Sequence, residues 1–339
     1  MKPDSMPAII VKESGSKGDW NTLSFELVPR PSLNDRQVLV QVEACSVNRA
    51  DLLQRRGLYP PPPGASSILG LDFAGFVTAV TEKVTQWHPG DRVFGIAAGG
   101  GYGRYVAVPE DHLVRIPERL SFVEAAAVAE VFFTAFLNIF LEAQIQAGES
   151  LLIQGGGSGV GTAAIQLAKS ADVATFVTAG SNETIERCLE LGASFGINYK
   201  QEDFAERILE ITSGKGVDVI LDIVGGPYLT PHLNILSTRG RLVVIGLIGG
   251  SKAEIPLGIL LTKRLRIIGS VLRSRTAEEK SALTQLFKEK VIPLLESSKV
   301  HPVIDRIYPI HAAEEAHQYM LEGGRFGKIV LTWHGVEQG

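Results

Sequence analysis

Cysteine is nearly missing: Cys45 and Cys188 are the only two in 339 residues. Two thiols cannot build a disulfide framework or a four-cysteine zinc site, so a reducing, cytoplasmic compartment is expected. An excess of basic charge is missing too. The 33 Lys+Arg and 37 Asp+Glu leave a formal net charge of −4, which argues against nucleic acid as a partner. No stretch reads as a membrane span. The most apolar long segment, residues 125–141, is interrupted by Glu130, Thr134 and Asn138, whereas a span needs about 20 nearly uncharged residues. A buried helix is expected there. The opening residues Met1-Lys2-Pro3-Asp4 carry an early acid and no apolar centre, unlike a secretory signal. Internal repeats and long like-charge runs are absent. What remains is a globular composition, 45% hydrophobic and 21% charged, long enough for about two domains.

The first third reads as β-rich. Short apolar runs at 38–42, 76–80 and 104–108 are separated by Pro and Gly turns, the pattern of a small irregular barrel or sandwich. Pro60 to Pro63 followed by Gly64 forces a stiff extended loop. Gly99-Gly100-Gly101 is expected to be a flexible one. Near residue 120 the pattern changes. Ser121 and Glu124 have the spacing of a helix capping box. From residue 150 apolar runs alternate with amphipathic stretches. Strands are predicted at 150–154, 174–178, 196–199, 217–223, 241–245 and 265–272, with helices at 159–170, 182–191, 203–212, 228–236 and 257–262. That alternation indicates βαβ units and a doubly wound parallel sheet. The tail predicts a helix at 277–297, a strand at 303–308, a helix at 312–322 and a strand at 328–332.

The strand Leu151-Leu152-Ile153 runs into Gly156-Gly157-Ser158-Gly159-Val160-Gly161 and then an apolar helix. Glycines let backbone N–H groups approach a pyrophosphate, and the helix N-terminus adds a favourable dipole. The middle glycine of the usual dinucleotide turn is Ser158 here. The plainer alternative is a glycine loop that only packs, but the strand before it and the αβ units after it favour dinucleotide binding. An NAD enzyme commonly ends its second strand on Asp or Glu. This chain has Gly180-Ser181. With no carboxylate to repel a 2′-phosphate, NADPH is expected and NADH is less favoured. Ser181 can donate to that phosphate or cap the next helix. Tyr199 can offer its hydroxyl.

Taken together, residues 48–52 (Asn-Arg-Ala-Asp-Leu), 57–59, 68–72, 158–167, 178–181, 198–200, 272–275, 305–309 and 327–331 carry a resemblance that spans the chain in order. The sequence resembles the zinc-free NADPH:quinone oxidoreductases, in the zeta-crystallin-like branch of the medium-chain dehydrogenase/reductase superfamily. Within that branch it is most similar to the p53-inducible type. The resemblance implies an α/β fold in which a Rossmann domain, residues 129–272, is inserted into a GroES-like β-rich catalytic domain, residues 1–128 and 273–339. Zinc members of the superfamily place a Cys near Asn48 and a His-Glu pair near Leu71-Asp72; here those positions lack thiolate and imidazole, so no zinc is expected.

A metal-free site implies an acceptor that takes hydride readily, a quinone or an activated enone. Asn48 and Tyr59 are the implied catalytic residues, each able to hydrogen-bond an acceptor oxygen; a turn-forming Asn and a loop aromatic are the plainer readings. Implied cofactor contacts are Thr134, Gly156, Gly157, Ser158, Gly159, Val160, Gly180, Ser181, Tyr199, Val224, Gly246, Leu247, Ser270, Leu272 and Lys328. Relatives often carry a Lys toward the 2′-phosphate where this chain has Thr184; Arg187, one turn on, is a candidate substitute. The resemblance also implies a homodimer, with residues 241–253 as the edge that pairs. An enone or enoyl-thioester reductase is the alternative enzyme, and a cofactor-binding regulatory or RNA-binding protein the alternative of another kind.

Overall fold

Two sheets share one long helix. The computed structural model describes residues 4–12 and 16–335; Met1, Lys2 and Pro3, part of the opening stretch read above, lie outside them. Strands β1 (Ser5–Lys12) and β2 (Thr22–Pro29) pair as an antiparallel ribbon. They are followed by β3 (Gln37–Ser46), α1 (Arg49–Arg55), β4 (Asp72–Val80), β5 (Arg92–Ile96), β6 (Tyr105–Pro109), β7 (Leu113–Arg115) and α2 (Phe122–Phe136). The chain then alternates through β8 (Ser150–Ile153), α3 (Gly159–Ser170), β9 (Ala174–Ala179), α4 (Asn182–Leu191), β10 (Phe195–Asn198), α5 (Phe204–Ile211), β11 (Val217–Asp222), α6 (Leu229–Ile235), β12 (Leu236–Val244), α7 (Leu257–Lys263) and β13 (Arg266–Gly269). The tail adds α8 (Ala277–Lys290), α9 (Ile292–Glu296), β14 (Ile304–Pro309), α10 (Ala313–Glu322) and β15 (Lys328–Thr332).

The strands of the alternating segment form a six-stranded sheet in the order β10-β9-β8-β11-β12-β13, and every pairing in it is parallel. Its order reverses beside β8, the arrangement of a doubly wound dinucleotide-binding sheet. The second sheet runs β14-β15-β3-β4-β5-β7, with β6 also on β3. Strand β15 from the chain's end pairs antiparallel with β3 from its first third. The β-rich unit is thus built from both ends, around the parallel sheet.

Helix α2 joins the two. Its capping box forms as its sequence indicates: Ser121 Oγ accepts from the Glu124 N–H and Glu124 returns a carboxylate to the Ser121 N–H. Ala125, Ala126, Ala127 and Ala129 are all buried, and these small side chains let α2 lie against β3, β4 and β5 on one side and α3 on the other. The helix and its continuation, Phe122–Glu142, are long and apolar enough to cross a membrane, but 78% of the window is buried within the fold.

Several expectations need correcting. The ribbon β1–β2 and strands β5 and β7 were not predicted. The tail helix is two helices, because Pro293 lacks an N–H and starts α9 as a separate turn. The Gly99–Gly101 loop, expected to be flexible, is buried and closely packed. A Cβ on Gly99 would sit 2.4 Å from the Ser66 carbonyl, and one on Gly101 2.4 Å from that of Asp72. The predicted edge at 241–253 is not an edge. Strand β12 lies between β11 and β13, and β13 is the outer strand.

Phe287 of α8 ties the units together. Its ring stacks on Phe133 of α2 at 3.9 Å and meets Phe94 of β5 edge-on at 6.4 Å. Phe287→Ala should lower the unfolding free energy measured in urea by about 3–5 kcal/mol; a loss below about 1 kcal/mol would mean the aromatic junction is not what holds α8 in place.

Candidate active site

In a parallel sheet all strand C-termini share one edge. The glycine turn after β8, Gly180 and Ser181 after β9, Tyr199 after β10, Val224 after β11, Gly246 and Leu247 after β12, and Ser270 and Leu272 after β13 therefore lie along one edge. The turn is held from below. Gly156 N–H donates to the Thr178 carbonyl at 2.9 Å and Gly155 N–H to Thr178 Oγ1 at 3.2 Å. Thr178 Oγ1 donates to Gln154 Oε1 at 2.5 Å, and Gln154 Nε2 lies 2.9 Å from His232 Nε2. Burial pushes the His232 imidazole down to about 3, so it is neutral and accepts. Ser158 caps α3 through the Gly161 N–H at 3.0 Å. The glycines are spatially required: a Cβ on Gly161 would meet the Gly155 carbonyl at 2.4 Å, and one on Gly157 the Thr184 side chain at 2.6 Å. Helix α3 leaves the first N–H groups, Gly159 and Val160 among them, without intrahelical partners and facing an anion's approach.

At the next strand, Ser181 caps α4, accepting from the Thr184 N–H at 3.2 Å and sharing a hydrogen bond with Thr184 Oγ1 at 2.9 Å. The helix-capping role thus forms. A Cβ on Gly180 would lie 2.9 Å from Tyr199 Oη and 3.2 Å from Lys200 Cε. Arg187 lies over the Phe326 ring at 4.2 Å.

The β-rich unit meets this edge through Lys328, the first residue of β15. Gly327 N–H donates to the Gly157 carbonyl at 2.9 Å. The Lys328 stem passes Gly159, whose Cβ would lie 2.6 Å from Lys328 Cδ. The ammonium is buried and donates to Asn48 Oδ1 at 2.7 Å and to the Val47 carbonyl at 3.1 Å, with Asp72 Oδ2 at 4.0 Å. Asn48 Nδ2 donates to Asp72 Oδ2 at 2.7 Å. Ser46 gives Asp72 both its N–H, at 2.6 Å, and its hydroxyl. Burial pushes the Asp72 carboxyl up, with Lys328 and the Ser46 and Asn48 hydrogen bonds opposing. Both ends of the Asn48 amide are engaged, so the direct contact with an acceptor expected from the sequence requires one of these bonds to open.

Facing this cluster from α2 are Thr134 and Glu130, joined by a 2.9 Å hydrogen bond from Thr134 Oγ1 to Glu130 Oε1. Tyr59 is half-buried under Arg273, whose guanidinium lies 5.2 Å from its ring and donates to its carbonyl. The same guanidinium donates to the Ala98 carbonyl and Gln54 Oε1, tying the loops at 59 and 98 to helix α1.

Comparison with known proteins completes the picture. Residues 34–118 match the family described as "Alcohol dehydrogenase GroES-like domain" and 159–289 that described as "Zinc-binding dehydrogenase". The chain is 34% identical to a quinone oxidoreductase of Sus scrofa over 96% of its own length and 97% of the relative's. It belongs to the quinone oxidoreductase family of the medium-chain dehydrogenases/reductases. A crystal structure of the Pseudomonas syringae pv. Tomato DC3000 quinone oxidoreductase superposes with a TM-score of 0.85 at 28% identity, covering 96% of this chain and 99% of that one. The CurK enoyl reductase gives a TM-score of 0.84 at 28% identity over 96% and 99% of the two chains.

As an oxidoreductase of this family the chain implies a nicotinamide cofactor, and the residues fit one. The turn has room for backbone and phosphate but not for side chains, and the buried Ser270 Oγ at the end of β13 lacks a hydrogen-bond partner within the described residues. Sequence reasoning missed Glu130, Arg273 and Asp51. Glu130 was noted only as an interruption in an apolar helix. Arg273 and Asp51 fell inside the segments carrying the family resemblance, but without a role.

Asp51 is fully buried and accepts from the Asn48 and Gly70 N–H groups. Burial raises its carboxyl from the ordinary 3.8 to about 7, those hydrogen bonds opposing. Between these values the folded chain keeps a proton that the unfolded chain has released. Its stabilising contribution is complete below the unfolded value and is lost as pH rises toward 7. Thermal melts from pH 4 to 8 should show Asp51→Asn losing less stability with rising pH than the wild type. Parallel curves would contradict the assignment.

Proposed function

We propose that the protein reduces quinones with NADPH, without a metal ion, in a cytoplasmic setting. The observation that carries this reading is the meeting of the glycine-turn edge with the Lys328, Asn48 and Asp72 cluster. Where zinc relatives keep a sulfur and an imidazole, this chain has the Asn48 amide and Leu71, whose side chain has no ligating atom, so the pair makes a poor zinc set. No group of three or more His, Cys, Asp or Glu side chains is placed to hold a metal among the described residues. The charge available to a developing oxyanion is then an ammonium.

When bound, the nicotinamide supplies the hydride. The protein's part is to place an acceptor flat beside it and to shed water from the cleft. Gly156, Gly157, Ser158, Gly159 and Val160 hold the pyrophosphate. Thr134, Val224, Gly246, Leu247, Ser270 and Leu272 surround the nicotinamide end. Lys328, fixed by Asn48, presents positive charge at the seam, and Tyr59 offers its hydroxyl from the opposite wall. An enone or enoyl thioester fits the same arrangement, and the likeness to CurK supports that second reading.

Preference for NADPH rests on Gly180, Ser181, Tyr199 and Lys200. The Lys200 stem passes 3.2 Å from where a Gly180 Cβ would be, which supports its ammonium as a substitute for the cation that relatives carry at the position of Thr184. Arg187 stacks on Phe326 beside the glycine turn instead. Homodimerisation through β13 is supported by its position as the outer strand and by exposed Ile267, Leu257 and Leu261 nearby, since an open apolar edge needs cover.

Two measurements test the reading. Purified protein should oxidise NADPH with a panel of quinones far faster than it reduces NADP with simple alcohols; brisk alcohol oxidation would overturn it. Lys200→Gln should raise the KM for NADPH roughly tenfold or more, the scale of one charged hydrogen bond, and leave that for NADH unchanged. Equal effects on both would remove Lys200 from the phosphate site.

A further inference from the structure

Reduction of a carbonyl acceptor needs a proton as well as a hydride, and Lys328, Tyr59, Asp51 and Asp72 supply it poorly. Lys328 is engaged with Asn48 Oδ1 and the Val47 carbonyl. Tyr59 is held above its ordinary value by burial, with Glu130 adding to the rise and Arg273 opposing. Asp51 and Asp72 are completely enclosed, their oxygens turned to Asn48, Gly70 and Ser46.

Glu130 differs from all of these. It lies on α2, partly buried, on the helix that carries Thr134 and faces the glycine turn. Its neighbour in the chain, Val131, comes within 3.0 Å of where a Gly159 Cβ would be. One carboxylate oxygen, Oε1, is fixed by Thr134 Oγ1 at 2.9 Å. The other accepts no hydrogen bond, and no Lys, Arg or His comes within ion-pairing distance, among the described residues. The charged and titratable groups facing it are Lys328 from β15, Asp72 from β4 and Tyr59 from the loop after α1. A carboxyl so placed has one oriented oxygen, one free oxygen and little to hold it ionised.

We propose that Glu130 donates the proton taken up by the reduced acceptor, with Thr134 as the residue that orients it. This rests on the reading given above. After hydride has reached the acceptor, that molecule carries two more electrons and a negative oxygen. The O–H bond of Glu130 breaks and an O–H bond forms on the acceptor, giving the neutral hydroquinone. The Glu130 carboxylate then regains a proton from water at the open side of the cleft. Burial raises the Glu130 carboxyl, with Lys328 and the Thr134 hydrogen bond opposing and Asp72 adding to the rise, which keeps a proton available for transfer. Because the acid must be protonated, turnover is present at low pH and lost as pH rises through the value of that group.

Glu130→Gln keeps the shape and the Thr134 contact but removes the transferable proton. The expected results are a fall in kcat of about 100-fold or more with a quinone, an NADPH dissociation constant by fluorescence titration within about threefold of wild type, and loss of the high-pH falling limb. Glu130→Asp should restore part of the rate. A readout independent of turnover is infrared spectroscopy of the cofactor-free protein at pH 6: the wild-type-minus-Glu130→Gln difference spectrum should contain a protonated-carboxyl band, the contribution of Asp51 cancelling between the two. A Gln variant with wild-type kcat and the same falling limb, or no such band, overturns the proposal. A wild type that reduces no quinone or enone with NADPH overturns the underlying reading and the proposal together, so the two failures are told apart by the wild-type assay.

Discussion

The buried ammonium of Lys328 constrains both halves of the molecule. A buried charge is tolerated only with partners, and these partners come from the β-rich unit: the Asn48 amide, the Val47 carbonyl and, at 4.0 Å, Asp72. Its stem, however, lies on Gly159 at the start of α3. One side chain therefore requires that β15, the end of β3 and the glycine turn keep a fixed relation. The backbone repeats the instruction through the Gly327 N–H to Gly157 carbonyl bond. The junction is held in this way by the chain's own contacts.

The same economy of space recurs around the site. Glycines at 99, 101, 156, 157 and 161 are places where another backbone or side chain already occupies the position of a Cβ. Buried carboxyls at Asp51 and Asp72 take backbone N–H bonds from the segments they organise, and both are pushed up by burial. Their cost in folding is offset by holding residues 46–51 and 70–72 in register, where Asn48 must meet Lys328. Packing, electrostatics and chemistry converge on a small set of side chains contributed by distant parts of the chain.

Much of this was legible beforehand. The alternation from residue 150 onward located β8, β9, β10 and β11 and the helices α3 and α4 closely, because each βαβ unit writes its own periodicity, whereas β12 begins at Leu236, five residues before the expected strand, and β13 is shorter than expected. The turn was readable from Gly156 to Gly161 since its glycines answer a local steric demand. The ribbon β1–β2 and strands β5 and β7 were not, because irregular antiparallel strands of a small barrel lack a long alternating pattern. The edge of the parallel sheet was misplaced because 241–253 and 265–272 look equally strand-like, and only their pairing order separates an inner strand from an outer one. At the site, Asn48, Tyr59 and Lys328 were named, but the bond between Lys328 and Asn48 was not. Glu130 looked like a mere interruption in an apolar helix; its surroundings include Asp72 and Lys328 from distant parts of the chain, which no local reading connects to it.

On the proposed reading, the Lys328 ammonium within its hydrogen-bonded cluster stands in for the zinc ion of other members of the superfamily. Metal analysis of the active protein tests it most directly. Protein with far less than one zinc per chain, dialysed against a strong chelator, should retain its full rate of NADPH-dependent quinone reduction. A rate that disappears with the chelator and returns as one zinc ion binds per chain would show that a metal, not the ammonium, carries the charge.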